Sequence, residues 1–558
     1  MDNQRFLLVI ALGIILFMIF QAWQEEQRVR EAPPETATAP ETQATAPQEV
    51  PPAPEVPSPA PTPTAPAPTT EAPAPPAPAA ASSGRVKVVT DLLEATIDLA
   101  GGDLRVLKLL DYPVSVDQPD NPFVLMNDSG SEALIAQSGL IGADREYPNH
   151  RSRYTTAAQR YALGDKQELK VPLRWDGPDG VRYTKTYTFD RDSYVIDVEY
   201  EVENASTKPW QGFLYRQFRR HHKASKRGWL ALPTYTGAAI YTPADKYDKI
   251  DFDDMREQPL DTDVDGGWVA MLQHYFVGAW MPPADERNRF YSKALQGNNY
   301  IIGLKNLQPA TIAPGASGRL KTTLYAGPKE HERLKKLAEG MELTVDYGWL
   351  TFLSAPLFWL LSYIHNWVGN WGWAIIVLTV LIKLVFYPLS AASYKSMAHM
   401  KRVQPKLQSL RERFGHDKQR MNQAMMDLYK KEKINPLGGC LPIVIQIPVF
   451  IALYWVLLES VEMRQAPFIF WIRDLSVRDP FFVLPIIMGI SMFVQQKLAP
   501  AQLDPMQRRL MNALPIVFTV FFLFFPAGLV LYWVVNNILS IAQQWQITRM
   551  IEGKAKAT

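Results

Sequence analysis

The 558-residue sequence contains a single cysteine, Cys440, which excludes an intramolecular disulfide framework and a cysteine-rich metal site. Its net charge is only +2, so the whole-chain balance gives no indication of a nucleic-acid partner, and we expect none for DNA. The sequence also lacks a glycine-rich phosphate-binding loop and any histidine pair at metal-ligand spacing. We therefore expect no metal, no cofactor and no enzymatic activity.

The first apolar run, Phe6–Phe20, follows Arg5 and precedes large or polar residues instead of a small-x-small cleavage site. These flanks predict an uncleaved membrane anchor over residues 1–25, with its N-terminus in the cytoplasm. Residues 31–82 hold 17 of the chain's 45 prolines and almost no large apolar side chains. Residues 26–84 are therefore predicted to be a disordered tether.

Residues 85–330 contain short segments in which polar and apolar residues alternate, separated by turn residues. Val181–Phe189, Tyr194–Val202 and Arg319–Ala326 are typical of β-strands, and the first two predict a hairpin. The region is long enough for one large β-sandwich. We expect it to lie outside the cytoplasm.

Apolar segments dominate the rest of the chain. After a linker that begins at residue 331, the aromatic-rich segment Asp346–Trp367 predicts a helix in the outer membrane interface. Five spanning helices are predicted to follow, and the N-terminal anchor makes six. The first lies within residues 368–390 and the other four within residues 436–548, before a short cytoplasmic tail at 549–558. The five are Trp371–Leu389, Leu441–Leu458, Phe481–Val494 with an extension to Leu498, Leu510–Phe525, and Leu529–Gln544.

The connection at residues 391–435 carries eleven lysines and arginines against four acidic residues. The positive-inside rule therefore predicts that this connection and both termini are cytoplasmic, with the large domain outside. Apolar residues at spacings of three and four predict two amphipathic helices that form an antiparallel hairpin. These residues are Val403, Leu407, Leu410, Phe414, Met421, Met425 and Leu428.

Polar side chains also occur inside the predicted spans. Thr379, Lys383 and Tyr387 are four residues apart, and a lysine at the centre of a span costs about 2.5–3.5 kcal/mol. Lys383 can snorkel to the interface, pair across a dry bundle, or line a hydrated cavity with other polar residues. We favour the cavity because other spans carry similar groups. These are Gln446, Ser491, Gln495, Trp533, Asn537, Ser540 and Gln544.

Residues 351–550 resemble the YidC/Oxa/Alb family of membrane insertases, particularly its Gram-negative type. The resemblance implies a five-helix insertase core in the bacterial inner membrane and a β-supersandwich in the periplasm. The outer domain matches more loosely, through LYAGPK (Leu324–Lys329). The most specific strings are YPLSAASYKSMAHMKRVQPK (Tyr387–Lys406), NPLGGCLPIVIQIP (Asn435–Pro448), RQAPFIFWIRDLS (Arg464–Ser476) and FFPAGLVLYWVVNN (Phe524–Asn537).

The resemblance further implies a hydrophilic substrate groove with a basic residue at Lys383, where arginine is more usual in the family. Gln446, Gln495 and Trp533 match groove-lining positions, Thr379, Tyr532 and Trp533 match substrate-contacting positions, and Asn537 belongs to the same polar stripe. The implied function is insertion, folding and assembly of integral membrane proteins, alone or with the Sec translocon. The implied partners are nascent membrane proteins, membrane lipids, and the ribosome and signal-recognition components at the hairpin.

Two other classes of function stay open at this stage. A small-solute transporter would also place polar residues inside its spans, although we see no paired repeats or broken helices in the sequence. A membrane-tethered carbohydrate enzyme would place its function in the outer β-domain.

Overall fold

The computed structural model describes residues 84–223, 234–414, 417–432, 441–498 and 505–556. The predicted N-terminal anchor, nearly all of the proline-rich tether and the predicted turn at Gly415-His416 lie outside the described residues.

The outer domain consists of two large sheets. One has eleven strands and the other has eight, and nearly all neighbouring strands are antiparallel. Trp280 of the smaller sheet donates from Nε1 to the carbonyl of Gln217 in the larger sheet at 3.2 Å, so the two sheets pack against each other. A β-sandwich is therefore present, as the sequence predicts.

The strands in chain order are β1 Arg85–Val89, β2 Leu93–Asp98, β3 Asp103–Pro113, β4 Pro122–Met126, β5 Leu134–Ile141, β6 Arg160–Ala162, β7 Glu168–Asp176, β8 Val181–Asp190, β9 Val195–Asn204, β10 Trp210–His221, β11 Gly237–Thr242, β12 Lys246–Ile250, β13 Asp261–Asp265, β14 Trp268–Leu272, β15 Phe276–Met281, β16 Arg287–Leu295, β17 Asn299–Asn306, β18 Ala310–Ile312 and β19 Ser317–Pro328.

The predicted hairpin is formed by β8 and β9. Every second residue of β8 is buried, because successive side chains of a strand point to opposite faces of the sheet. The two strands pair in antiparallel register, with Phe189 opposite Ile196 and Val181 opposite Asn204. Both predicted strands and the hairpin are confirmed.

The helices in chain order are α1 Asp254–Glu257, α2 His331–Leu337, α3 Thr351–Val368, α4 Trp371–Val385, α5 Tyr387–Phe414, α6 Lys418–Lys431, α7 Leu441–Glu459, α8 Val483–Leu498, α9 Pro505–Phe522 and α10 Ala527–Lys556.

The segment Trp371–Leu389, predicted to be a span, is not one straight helix. Helix α4 ends at Val385 and α5 begins at Tyr387, with a bend of 66° between them. Pro388 explains the break, because proline lacks an N–H for the preceding turn and disfavours helical backbone in the residue before it. Thr379 and Lys383 therefore share one helix, whereas Tyr387 belongs to the next.

Helix α3 has one buried face and one exposed aromatic face. Phe358, Leu361 and Ile364 are buried, whereas Trp359 and Trp367 are well exposed. An exposed stripe of tryptophan is typical of a helix that lies at a membrane interface, because the indole ring has an apolar body and a polar N–H. This arrangement agrees with the interfacial helix predicted from the sequence.

Helices α5 and α6 pack against each other after the bend. Val403 and Leu407 of α5 are buried against Met425 and Leu428 of α6. Lys406 of α5 forms an ion pair at 2.7 Å with Glu432, which directly follows α6. Four of the seven apolar side chains identified in the sequence, Val403, Leu407, Met425 and Leu428, thus lie in the seam between these two helices.

By length and hydropathy, no single helix in the described part of the chain qualifies as a membrane span. Trp371–Val385 and Tyr387–Met397 qualify only as a bent pair. Shorter apolar helices are Ile445–Glu459, Val483–Leu498 and Met511–Phe522. The six predicted spans stay a prediction.

The outer domain contacts the helical part directly. His274 donates from Nε2 to the carbonyl of Leu458, at the end of α7, at 3.0 Å. Arg464 and Gln465, in the loop after α7, both donate to the carbonyl of Pro113 at the end of β3, at 2.5 and 2.7 Å. These bonds fix the β-sandwich against the ends of the helices.

The His274 contact predicts a pH-dependent stability. Burial and the nearby Lys329 ammonium lower the pKa of His274 to about 4. In the unfolded chain the pKa of His274 is about 6.5. The unfolded chain therefore binds more protons than the folded protein between pH 4 and pH 6.5. His274 therefore makes its full contribution to the free energy of unfolding above pH 6.5. This contribution, at most about 3 kcal/mol, is lost as the pH falls to 4.

The full-length protein should consequently show a larger drop in thermal unfolding temperature between pH 7 and pH 4.5 than its His274→Gln variant. Glutamine keeps an N–H donor for Leu458 but does not titrate. Equal drops in the two proteins would show that His274 does not report on this contact.

Candidate substrate groove

Lys383 lies in the last turn of α4 and is almost completely buried, with 6% of its surface exposed. Its ammonium donates to Ser540 Oγ of α10 at 2.8 Å and faces Gln446 Oε1 of α7 at 3.5 Å. Three helices that are distant in sequence therefore meet at this amine. Three of the residues singled out in the sequence, Lys383, Gln446 and Ser540, therefore meet here.

Helix α10 orients both acceptors of Lys383. The Ser540 hydroxyl donates its own proton to the carbonyl of Asn536 at 2.7 Å, so its lone pairs are left to accept from Lys383. The Gln446 amide donates from Nε2 to Asn536 Oδ1, which turns its carbonyl oxygen towards the lysine. Asn536 was missed in the sequence, although its place one turn before Ser540 was a usable signal.

No carboxylate of the described residues lies within ion-pair distance of Lys383 Nζ. Both of its hydrogen-bond partners are neutral oxygens. Burying an ammonium without a counter-charge costs several kcal/mol, which hydrogen bonds to neutral groups offset only in part. The positive charge of Lys383 is therefore held in place but not neutralised.

Asn537 and Ser491, which the sequence analysis also singled out, form a separate hydrogen-bonded pair. Asn537 donates from Nδ2 to Ser491 Oγ of α8 at 3.0 Å, and Ser491 donates to the carbonyl of Met488 at 2.6 Å. Gln495 lies one turn further along α8 and is half-buried. Within the described part of the chain, hydrogen bonds do not join Gln495 to Lys383.

Aromatic rings pack beside the polar network. The Trp533 ring contacts Phe450 edge-on with centroids 4.4 Å apart, and Tyr532 stacks on the same phenylalanine at 6.1 Å. Tyr532 is 2% exposed and Thr379 is 1% exposed, and the Thr379 hydroxyl donates to the carbonyl of Ile375. Two of the three predicted substrate-contacting residues, Thr379 and Tyr532, are therefore enclosed in this structure, whereas Trp533 is half-buried.

Trp533 Nε1 is buried and has no hydrogen-bond partner among the described residues. An unsatisfied buried N–H is costly, so this group has donor capacity that a bound segment or water can use.

The outer surfaces of α8 and α9 are apolar. Ile486, Ile490 and Phe493 of α8 and Ile516 and Val517 of α9 are all well exposed. Contiguous exposed apolar side chains on helices of this kind are suited to contact with lipid. The polar network thus lies inside a shell whose exterior is apolar.

Comparisons with known proteins agree over nearly the full length. Residues 85–360 match the family model described as YidC periplasmic domain, and residues 363–555 match the model described as 60Kd inner membrane protein. A membrane protein insertase YidC of Thioalkalivibrio sulfidiphilus is 52% identical and covers 100% of both chains. The chain belongs to the YidC membrane insertase family.

Two further similarities were found. A membrane protein insertase YidC of Alkalilimnicola ehrlichii is 51% identical and covers 99% of this chain and 96% of its own. A solved structure described as an active YidC insertase with the first transmembrane domain resolved covers 83% of this chain and 92% of its own, with 16% identity and a TM-score of 0.37.

The YidC relatives are named as membrane protein insertases and not as enzymes. The chain is accordingly a membrane protein insertase of the bacterial inner membrane with a periplasmic β-domain. This result decides against the solute transporter and the tethered carbohydrate enzyme.

The uncompensated charge of Lys383 predicts opposite effects on stability and activity. In Lys383→Met, an apolar side chain of similar length replaces a buried unpaired ammonium, so the thermal unfolding temperature should stay equal or rise. Insertion of a short-tailed substrate into proteoliposomes should fall at least tenfold. Lys395→Met, which removes an exposed lysine from α5, is the matched control and should change neither quantity.

A large loss of stability in Lys383→Met would show that the ammonium is a structural element of the bundle. The charge would then not be available for a substrate.

Proposed function

We propose that this insertase inserts, folds and helps assemble integral membrane proteins through a hydrophilic groove centred on Lys383. The groove residues are Thr379, Lys383, Gln446, Gln495, Tyr532, Trp533 and Asn537. The observation that carries the proposal is the ammonium of Lys383, which is ligated by neutral oxygens from two other helices and has no acidic partner among the described residues. Such a charge attracts acidic residues in the polar tail of a substrate.

The driving force comes from the substrate. A span of about 20 apolar residues gains on the order of 10 kcal/mol on entering lipid, at roughly 0.5 kcal/mol per residue. The obstacle is the transfer of a short polar tail across the hydrocarbon. The membrane potential assists an acidic tail on its way outward by about 2.3 kcal/mol per charge per 100 mV.

Short helices beside the groove reduce the thickness of hydrocarbon that the polar tail of the substrate must cross. Helix α8 has 16 residues and is therefore about 24 Å long, less than the roughly 30 Å of a bilayer core. The apolar part of α9, Met511–Phe522, is shorter still. Both support local thinning of the bilayer beside the groove.

The finer topology and partners belong to the same proposal. Six spans, with both termini in the cytoplasm, place the basic hairpin of α5 and α6 on the cytoplasmic side. There its lysines and arginines would meet ribosomal RNA, signal-recognition components and anionic lipid. Cooperation with the Sec translocon would serve substrates whose outer segments are too long for the groove.

Electrostatic attraction predicts coupling between Lys383 and the charge of the substrate tail. Insertion should be measured for wild type, Lys383→Arg, Lys383→Gln and Lys383→Glu, each with an acidic-tailed substrate and with the same substrate carrying Asn and Gln in place of its Asp and Glu. Arginine should retain insertion of the acidic tail, glutamine should reduce it about tenfold, and glutamate should abolish it. The neutral tail should respond much less to all three changes.

If Lys383→Glu inserted the acidic tail at the normal rate, the electrostatic step would be refuted. Equal losses for both tails would assign Lys383 a role that does not involve substrate charge.

The proposed groove also predicts where a nascent chain is captured. Photocrosslinking residues placed at Thr379 or Trp533 should crosslink to a stalled nascent membrane protein. A crosslinker at Ile538, which lies on α10 but is half-exposed on the apolar exterior, is the matched control and should capture mainly lipid. Stronger substrate capture from Ile538 than from Trp533 would place the path on the exterior.

A further inference from the structure

A cavity of about 260 Å³ lies between the periplasmic domain and the outer end of α7. This volume is large enough to hold several water molecules or a small polar ligand. Tyr235 and Trp455 provide aromatic walls, and four charged side chains line the rest. These are Lys249, Lys329, Asp346 and Glu459.

Two ion pairs of different depth border the cavity. Lys249 and Asp346 are in contact at its rim, and each has about a third of its side chain exposed. Lys329 and Glu459 lie at its floor and are almost completely buried, with Lys329 Nζ 3.6 Å from Glu459 Oε2. Glu459 is one residue beyond the predicted span Leu441–Leu458.

The floor pair retains hydrogen-bonding capacity. A distance of 3.6 Å is longer than the 2.7–3.2 Å range of an N–H···O hydrogen bond, so the pair attracts without a direct hydrogen bond. Lys329 Nζ also donates to the carbonyl of Thr344 at 3.1 Å, which uses only one of its three protons. Buried charged groups beside a cavity require polar content in it, because a dry cavity leaves them unsolvated.

The four charges sum to zero, and this balance selects the class of ligand. A lone anion or a lone cation would add a net charge to this balanced lining, and that charge would be uncompensated. A molecule with one ammonium and one anionic group satisfies both signs at once. We propose that the cavity binds a zwitterion, with its ammonium against Glu459 and Asp346 and its phosphate or carboxylate against Lys329 and Lys249.

The surroundings place this site at the outer surface of the bilayer. The chain continues from Asp346 to Trp349 and Phe352, which are 77% and 74% exposed aromatic residues at the start of the interfacial helix α3. Aromatic side chains of this kind settle at the level of lipid headgroups. An ethanolamine phospholipid of the outer leaflet and a free zwitterion in the periplasm both carry the required chemistry.

The test uses full-length protein that has been purified in detergent and stripped of lipid. Native mass spectrometry and calorimetry measure the binding of dioleoylphosphatidylethanolamine, soluble glycerophosphoethanolamine and dioleoylphosphatidylglycerol. The first two carry a zwitterionic group and the third is only anionic. One equivalent of a zwitterionic probe should bind the wild type, and phosphatidylglycerol should bind at least tenfold more weakly.

Rim variants separate specific binding from general lipid association. Lys249→Gln and Asp346→Asn each remove one charge of the more exposed pair and should weaken zwitterion binding at least tenfold. Lys321→Gln, which removes an exposed lysine from β19, is the matched control and should bind like wild type. Thermal unfolding shows whether each variant is folded, and the Asp346 variant carries the test if the Lys249 variant is not.

Binding of the lipid alone identifies a headgroup site, and binding of the soluble probe as well identifies a site also open to the periplasm. The proposal is overturned if neither zwitterion binds, if phosphatidylglycerol binds equally well, or if folded rim variants bind like wild type.

Discussion

The buried ammonium of Lys383, which has no neutralising acid among the described residues, constrains the side chains that surround it. Lys383 needs acceptors, because an unsolvated amine is unstable inside a bundle. A carboxylate acceptor would cancel the charge, whereas the hydroxyl of Ser540 and the amide of Gln446 accept hydrogen bonds without doing so. Asn536 orients both groups.

Neutral main-chain acceptors also occur where the two domains meet, near the charged Lys329–Glu459 pair. His274, Arg464 and Gln465 donate to main-chain carbonyls of Leu458 and Pro113. A carbonyl is present whatever side chain stands at its position, so this docking depends on backbone geometry more than on the identity of the residues that accept. The β-sandwich and the bundle are thereby held in one arrangement by a few directed bonds.

Local patterns in the sequence predicted much of this structure. Alternation and turn residues predicted the β8–β9 hairpin, and the apolar spacing of Val403, Leu407, Met425 and Leu428 indicated the seam between α5 and α6. The pairing of Lys383 with Gln446 was also within reach, because polar residues inside apolar segments must find each other or water.

The helix break, the role of Asn536 and the charged cavity could not be predicted from local sequence patterns. The helix breaks before Tyr387 because Pro388 disfavours helical backbone in the residue that precedes it. Hydropathy carries no information about this backbone preference, so it predicted a single helix. Asn536 acts through partners 90 and 4 residues away, and only the folded arrangement brings Gln446 to it. The charged cavity likewise joins residues of two domains that share no local pattern.

The bend at Phe386 has a mechanical consequence. Helix α5 runs for 28 residues from this bend, roughly 42 Å, and forms one arm of the basic hairpin. Lys383 lies three residues before the bend, so the pivot of this long arm is adjacent to the buried charge. A force on this arm would therefore act as torque at the bend beside Lys383.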